Sequence, residues 1–300
     1  MSDAPTPNRV PKPEWLKIHG RRTDEFHDLR LALKDRGLAT VCVEAKCPNL
    51  TECWSQKTAT IMILGDTCTR GCRFCHVKTG NPRGALDLKE IIHTVEMVGM
   101  MDLNYVVITS VDRDDLPDHG AGHFAAVVRA VNARYPQTKV ETLVPDFGGD
   151  EDRMRVLAAA KPYVVAQNLE TVRRLTHPVR DVRAGYGMTL DCLEFYKQQG
   201  LTTKTSLMVG LGETQDEIAE ALDDLRTVGT DIVTFGQYLQ PTKHHLPVER
   251  YYSPREFLEL KRLAYRKGFR FVAAGPLVRS SYRAADFDAA HPQLEEAAHG

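Results

Sequence analysis

Three hundred residues, 42% of them hydrophobic, can bury one sizeable core without requiring a second domain. With 39 basic against 40 acidic residues, the formal net charge of −1 gives no global electrostatic case for nucleic acid or an anionic membrane as a partner. The stretch from Met1 to Pro13 is proline-rich and has no apolar run, and no window approaches the roughly 18 apolar residues of a spanning helix, so the expected location is cytoplasmic.

Residues 1–58 carry a charged, helix-forming stretch, Asp24 to Asp35, and then a short cysteine-rich segment; they are expected to form an N-terminal extension lying over the rest. From Ala59 onward, apolar runs predict six strands: Thr60 to Leu64, Tyr105 to Thr109, Lys139 to Val144, Tyr163 to Gln167, Thr203 to Val209 and Asp231 to Phe235. Between them, helical periodicity or composition marks Leu88 to Met101, Phe124 to Ala133, Asp150 to Ala159, Thr189 to Gln199 and Gln215 to Val228. Such alternation needs crossover connections and so predicts an α/β fold with a parallel sheet. A partial TIM-like (β/α)6 barrel over residues 59–275 fits, with a doubly wound open sheet as the rival. A further helix at Ser253 to Lys267 and an apolar run at Phe269 to Ala273 precede a C-terminal segment, residues 276–300, expected to close over the barrel and fray from Asp286.

Seven cysteines in a reducing compartment point to metal or redox chemistry more than to structural disulfides. Cys68, Cys72 and Cys75 form a C-x3-C-x2-C triplet directly after the first predicted strand. A loop at the carboxyl end of a strand is where parallel α/β folds place reactive groups, and three thiolates there can hold three corners of a four-iron cluster. The fourth iron is then open to a ligand from solution, as a catalytic zinc is. A zinc knuckle would use paired C-x2-C units, which this triplet lacks. A second triplet, Cys42, Cys47 and Cys53, reads C-x4-C-x5-C and, taken alone, is equally compatible with buried thiols, a zinc site or a second cluster. Cys192 stands alone in a predicted helix and reads as a small core hydrophobe. His244 and His245 are adjacent, so an extended chain points them to opposite sides; they read as loop residues.

The first triplet resembles the radical S-adenosylmethionine signature, and the two triplets together resemble the lipoyl synthase family. The likeness extends through Arg279-Ser280-Ser281-Tyr282, Ser110 to Leu116, Met208 to Thr214 and Gly236 to Pro241, which is nearly the whole chain from Lys12 to Tyr282. Departures are Gln167, where similar proteins often have His, and Thr205-Ser206, which stands for a more usual Ser-Gly.

The resemblance implies two [4Fe-4S] clusters and S-adenosyl-L-methionine as cofactors. One cluster would sit on Cys68, Cys72 and Cys75; an auxiliary cluster would take Cys42, Cys47, Cys53 and a serine, Ser281 by its place in the motif with Ser280 as the fallback. Asn168 and Glu170, after the fourth strand, are candidates for binding S-adenosylmethionine, as is Lys204; Arg180 is a further cationic candidate. The implied activity is insertion of two sulfur atoms at C6 and C8 of a protein-bound octanoyl-lysine, driven by 5′-deoxyadenosyl radicals, with the auxiliary cluster as sulfur donor and Ser281 releasing its iron. Implied partners are an octanoylated lipoyl carrier (H protein or an E2 lipoyl domain), an electron donor such as ferredoxin or flavodoxin, and an iron–sulfur carrier. Two alternatives remain at this point: a biotin-synthase-like insertase acting on a free small molecule, and a nonenzymatic iron–sulfur or zinc protein.

Overall fold

A computed structural model describes residues 11–16, 57–281 and 287. Its main element is a seven-stranded, wholly parallel sheet made of β1 (Thr58–Ile63), β4 (Tyr105–Ser110), β5 (Lys139–Leu143), β6 (Val164–Ala166), β7 (Thr202–Val209), β8 (Ile232–Gln237) and β9 (Phe271–Gly275), paired in that order. Two short strands, β2 (Thr67–Cys68) and β3 (Lys78–Thr79), pair only with each other. Between the main strands run α1 (Lys89–Met100), α2 (Ala121–Arg134), α3 (Glu151–Ala158), α4 (Tyr186–Gln198), α5 (Gln215–Thr227) and α6 (Pro254–Arg266).

Neighbours in the sheet are neighbours in sequence, so the strand order never reverses, and the doubly wound alternative, which needs a switch point, does not hold. The sheet is the wall of a partial barrel with β1 and β9 as its edges. All six expected strands are present, and the apolar run after α6 adds a seventh, β9.

Strand alternation divides the side chains into two layers. Val106 and Ile108 of β4 pack outward with Phe124, Val127, Val128 and Val131 of α2, whereas Tyr105 and Val107 pack with Leu143 and Tyr163. The second layer is partly polar. Glu141 of β5 accepts 2.8 Å hydrogen bonds from the Tyr105 hydroxyl and from the Lys204 ammonium of β7, all three side chains being buried. Helix starts follow local chemistry: α5 and α6 each begin with a capping box, Thr214 with Glu217 and Ser253 with Glu256, and α6 has Pro254 in its first turn.

The C-terminal segment touches both ends of the sheet. Phe287 is buried against Val164, Ile232 and Phe271, which start β6, β8 and β9. At the opposite end, a Cβ on Gly236 would come within 2.2 Å of the Val278 carbonyl oxygen, so only glycine lets this segment lie directly on β8. None of the described helices is long and apolar enough to cross a membrane.

Replacing Lys204 alone, as Lys204→Met, leaves Glu141 buried without its cation. Denaturant unfolding is expected to register a loss of about 3–5 kcal/mol, and the double replacement Lys204→Met/Glu141→Leu is expected to recover most of it. Equal stability of the single variant and the parent would show that the pair carries no such role.

Candidate active site: a three-cysteine loop at the mouth of the barrel

After β1 the chain turns through Leu64 (φ 67°) and Gly65 (φ 87°), and the Glu90 carboxylate of α1 accepts both of their amides, at 2.8 and 3.3 Å. The following loop is pinched at its base by the β2–β3 pairing and by the Gly80 amide donating to the Cys68 carbonyl at 2.9 Å. Cys68, Cys72 and Cys75, all half-buried, lie on this loop.

Arg70, inside the C-x3-C spacing, anchors the loop to the barrel. Its guanidinium donates to both oxygens of the buried Asp146, one at 2.7 Å, and to Asp114 at 2.8 Å, while Asp112 lies 3.4 Å away. These carboxylates follow β4 and β5, so one side chain ties the loop to the mouth of the sheet. On another side, the short helical turn Thr176–Val179 supplies the Val179 carbonyl to the Arg73 amide (2.9 Å), and the segment after it an Asp181 oxygen to the Gly71 amide (2.8 Å). Arg183 closes this contact by donating to the Thr69 carbonyl at 2.7 Å and to Asp181.

Burial pushes each of the three thiols up to about 11. Opposing this, a backbone amide donates toward each sulfur: Arg70 to Cys68, Asp181 to Cys72 and Val77 to Cys75. Burial, opposed by Arg70 and reinforced by Asp146 and Asp114, also pushes Asp112 up to about 6, and the Cys68 thiol points at this carboxylate from 3.6 Å. The thiols are thus neutral until a cation's charge removes their protons. No three His, Cys, Asp or Glu side chains among the described residues converge on a single-ion site. Three thiols on one loop, each facing an N–H donor, fit the cysteine shell of an iron–sulfur cluster.

Asn168 and Glu170 are beside this loop. The Glu170 charge opposes ionisation of Cys72 and Cys75, its own carboxyl is raised by burial and lowered by Arg180, and it accepts from the Asn168 amide at 3.0 Å. Glu170 holds φ 68° while bridging to Leu207 of β7. The Asn168 side-chain oxygen is buried with no partner, as a group awaiting a donor would be. Arg180 donates to the Leu169 carbonyl and the Thr189 hydroxyl. Lys204 lies on β7, its ammonium held by both Glu141 oxygens.

Ser280 and Ser281 are half-buried in the turn that follows Val278. Cys42, Cys47 and Cys53 lie outside the described residues, as does Tyr282. His244 is exposed, while His245 folds back on the cysteine loop, so the two do not act as a pair. Cys192 is buried in α4, as a core residue would be. By sequence, Arg70 and Asp146 carry no role and Asp114 figures only as part of the Ser110 to Leu116 likeness; the hints were that segment and an arginine enclosed by the cysteine spacing.

Residues 62–225 match the Radical SAM superfamily. The crystal structure of methylornithine synthase superposes with a TM-score of 0.55 at 15% identity, covering 86% of each chain; that of Streptococcus suis SuiB with its precursor peptide gives 0.55 at 13%, covering 90% of this chain and 55% of that one. These structures share the fold, and the chain belongs to the radical S-adenosylmethionine superfamily. Lipoyl synthase from Legionella pneumophila (strain Paris) is 57% identical over 278 residues, 92% of this chain and 84% of that protein. The Francisella philomiragia lipoyl synthase is 55% identical over 277 residues, 92% of this chain and 85% of that one. Within the superfamily, the chain is therefore a member of the lipoyl synthase family.

In metal-free, reduced protein, alkylation of Cys68, Cys72 and Cys75 by iodoacetamide at pH 8 is expected to be far slower than that of a free cysteine, whose pKa is about 8.5. A raised pKa keeps the unreactive thiol, so each rate should climb with pH until about 11. Peptide mass spectrometry across a pH series checks this; a plateau by pH 9 would contradict the burial argument.

Proposed function

We propose that this chain inserts sulfur at C6 and C8 of an octanoyl chain carried on a lysine of a small lipoyl carrier protein. The reading is carried by the three-thiol loop at the barrel mouth with the unpartnered Asn168 oxygen beside it, and it is supported by relatives named lipoyl synthase over 92% of the chain. When bound, the cluster and S-adenosylmethionine supply an electron and a 5′-deoxyadenosyl radical, the reagent that an unactivated carbon–hydrogen bond requires because no acid–base route exists for it.

The protein's own residues bind and orient. Cys68, Cys72 and Cys75 hold three irons, with the amides of Arg70, Asp181 and Val77 directed at their sulfurs. Asn168 and Glu170 present an acceptor and a carboxylate to the methionyl amine or ribose hydroxyls of S-adenosylmethionine. Lys204, the other candidate, is held inside the barrel by Glu141. Cys42, Cys47 and Cys53 with Ser281, or Ser280 in its place, hold the auxiliary cluster that donates sulfur. A serine would have to lose its proton to bind iron, which would make it a labile ligand. The walls of the barrel would hold substrate and S-adenosylmethionine in register, because a misplaced radical would abstract hydrogen elsewhere. The reaction takes place in the cytoplasm, with a ferredoxin or flavodoxin as electron donor, an iron–sulfur carrier to restore the lost cluster, and an H protein or E2 lipoyl domain as substrate carrier.

Anaerobically reconstituted protein is expected to hold about eight irons and eight sulfides, and Cys42→Ala and Cys68→Ala to remove about half each. Incubation with dithionite, S-adenosylmethionine and an octanoyl-lysine peptide should yield both 5′-deoxyadenosine and thiolated peptide by mass spectrometry. 5′-Deoxyadenosine without thiolated peptide would keep the radical chemistry and overturn the substrate; four irons in the unsubstituted protein would overturn the auxiliary cluster.

A further inference from the structure

The loop that follows β8 closes on the cysteine loop through two consecutive donors. His245 Nε2 is 3.0 Å from the Cys75 carbonyl oxygen, and the Leu246 amide donates to the Arg73 carbonyl at 3.3 Å. The two acceptors flank Phe74, which packs with Leu246 in one hydrophobic cluster. A carbonyl can only accept, so Nε2 carries the proton; in the neutral ring Nδ1 is then the acceptor for the Thr242 hydroxyl 2.8 Å away. The histidine is held from its own loop as well: Gln240 donates to the His245 carbonyl and Tyr238 to the Leu246 carbonyl, each at 2.8 Å. The His76 ring, next in sequence to Cys75, meets the His245 ring edge-on at 5.5 Å.

We infer that His245 is a positioning residue for the cluster: its Nε2–H, on a ring that Thr242 holds from Nδ1, fastens the Cys75 backbone and thereby fixes the direction of the Cys75 sulfur. Arg70 and Asp181 secure the first half of the cysteine loop, and His245 with Leu246 secures the last turn, which neither of those reaches. A partner behind a ligand, not touching the metal, commonly changes metal retention about 10-fold or more when removed. The inference rests on the Cys68–Cys72–Cys75 loop holding a cluster, which Cys75→Ala tests separately by its iron content.

The experiment uses reconstituted full-length protein and two readouts: the rate of iron release to a chelator, and the change in the electron paramagnetic resonance spectrum of the reduced protein on adding S-adenosylmethionine, which isolates the cluster with the open iron. His245→Leu is expected to release its more labile iron about 10-fold faster or more and to alter the difference spectrum, while His245→Gln, which restores an N–H at the same reach, returns both toward the parent. Release within about twofold of the parent and an unchanged difference spectrum for His245→Leu would overturn the inference, as would a Gln variant as fast as the Leu variant. Should His245→Leu fail to fold, Thr242→Val leaves the imidazole in place and removes the hydroxyl that steadies it at Nδ1; a shift in the same direction supports the assignment and parent behaviour overturns it. If Cys75→Ala retains all its iron, the cluster reading itself is what fails.

Discussion

A single buried guanidinium holds the cysteine loop in place. Arg70 is enclosed by Asp146, Asp114 and Asp112, and burying a charge is tolerable only when its partners satisfy it with good geometry. The constraint works in both directions. The aspartates that follow β4 and β5 would repel one another without Arg70, and the loop would have no fixed height above the barrel without them. Because the arginine lies between Cys68 and Cys72, the direction in which those two sulfurs leave the loop is set by the ends of strands far away in sequence. Folding of the barrel therefore comes before any competent ligand set, and a cluster site on this loop is a property of the tertiary structure.

The same logic explains the backbone conformations around the mouth. Leu64, with φ 67°, and Glu170, with φ 68°, are non-glycine residues in the left-handed region, where an L residue costs about 1–2 kcal/mol. Each is held by partners that outweigh the cost. Leu64 gives its amide to Glu90 and its carbonyl to Arg113, whereas Glu170 bonds at both its amide and its carbonyl to β7, through Ser206 and Met208. The turn at Glu170 keeps its carboxylate beside the cysteine loop instead of letting the chain continue as strand. Strain gathers where the chemistry is, as expected of residues whose direction matters more than their local comfort.

Much of this was legible in the sequence. Strand positions followed from apolar runs, helices from periodicity and composition, and the barrel from strict alternation, since a parallel sheet with one crossover per strand leaves few ways to curl. The cysteine loop was legible because its spacing and its place after β1 are both local. What stayed hidden was every partnership across the sheet. Lys204 reads as a cation near a strand start, free to meet a carboxylate ligand, yet its counterion is Glu141, 63 residues earlier and on a non-adjacent strand. Arg70 reads as a loop arginine, and its principal acceptor, Asp146, lies 76 residues away. His245 reads as a loop residue, and the residue it meets is Cys75, 170 positions upstream. β9 was visible only as an apolar run, because its role as an edge depends on where β8 ends.

These hidden contacts share a geometry that bears on how the site works. The cysteine loop is short, mostly without regular structure, and cannot orient three sulfurs by itself. It is gripped from three directions: by carboxylates beneath, by the 176–183 segment on one flank, and by the loop after β8 on the other. Each grip comes from a different strand-to-helix connection, so a displacement of any one moves a sulfur against the other two. Such over-determination is what an open iron corner demands. Three thiols would leave one iron of a bound cluster without a protein ligand, so the direction of each sulfur would have to be set by the partners of the loop. On the remaining side lie Asn168 and Glu170, the Asn168 side-chain oxygen buried without a hydrogen-bond partner.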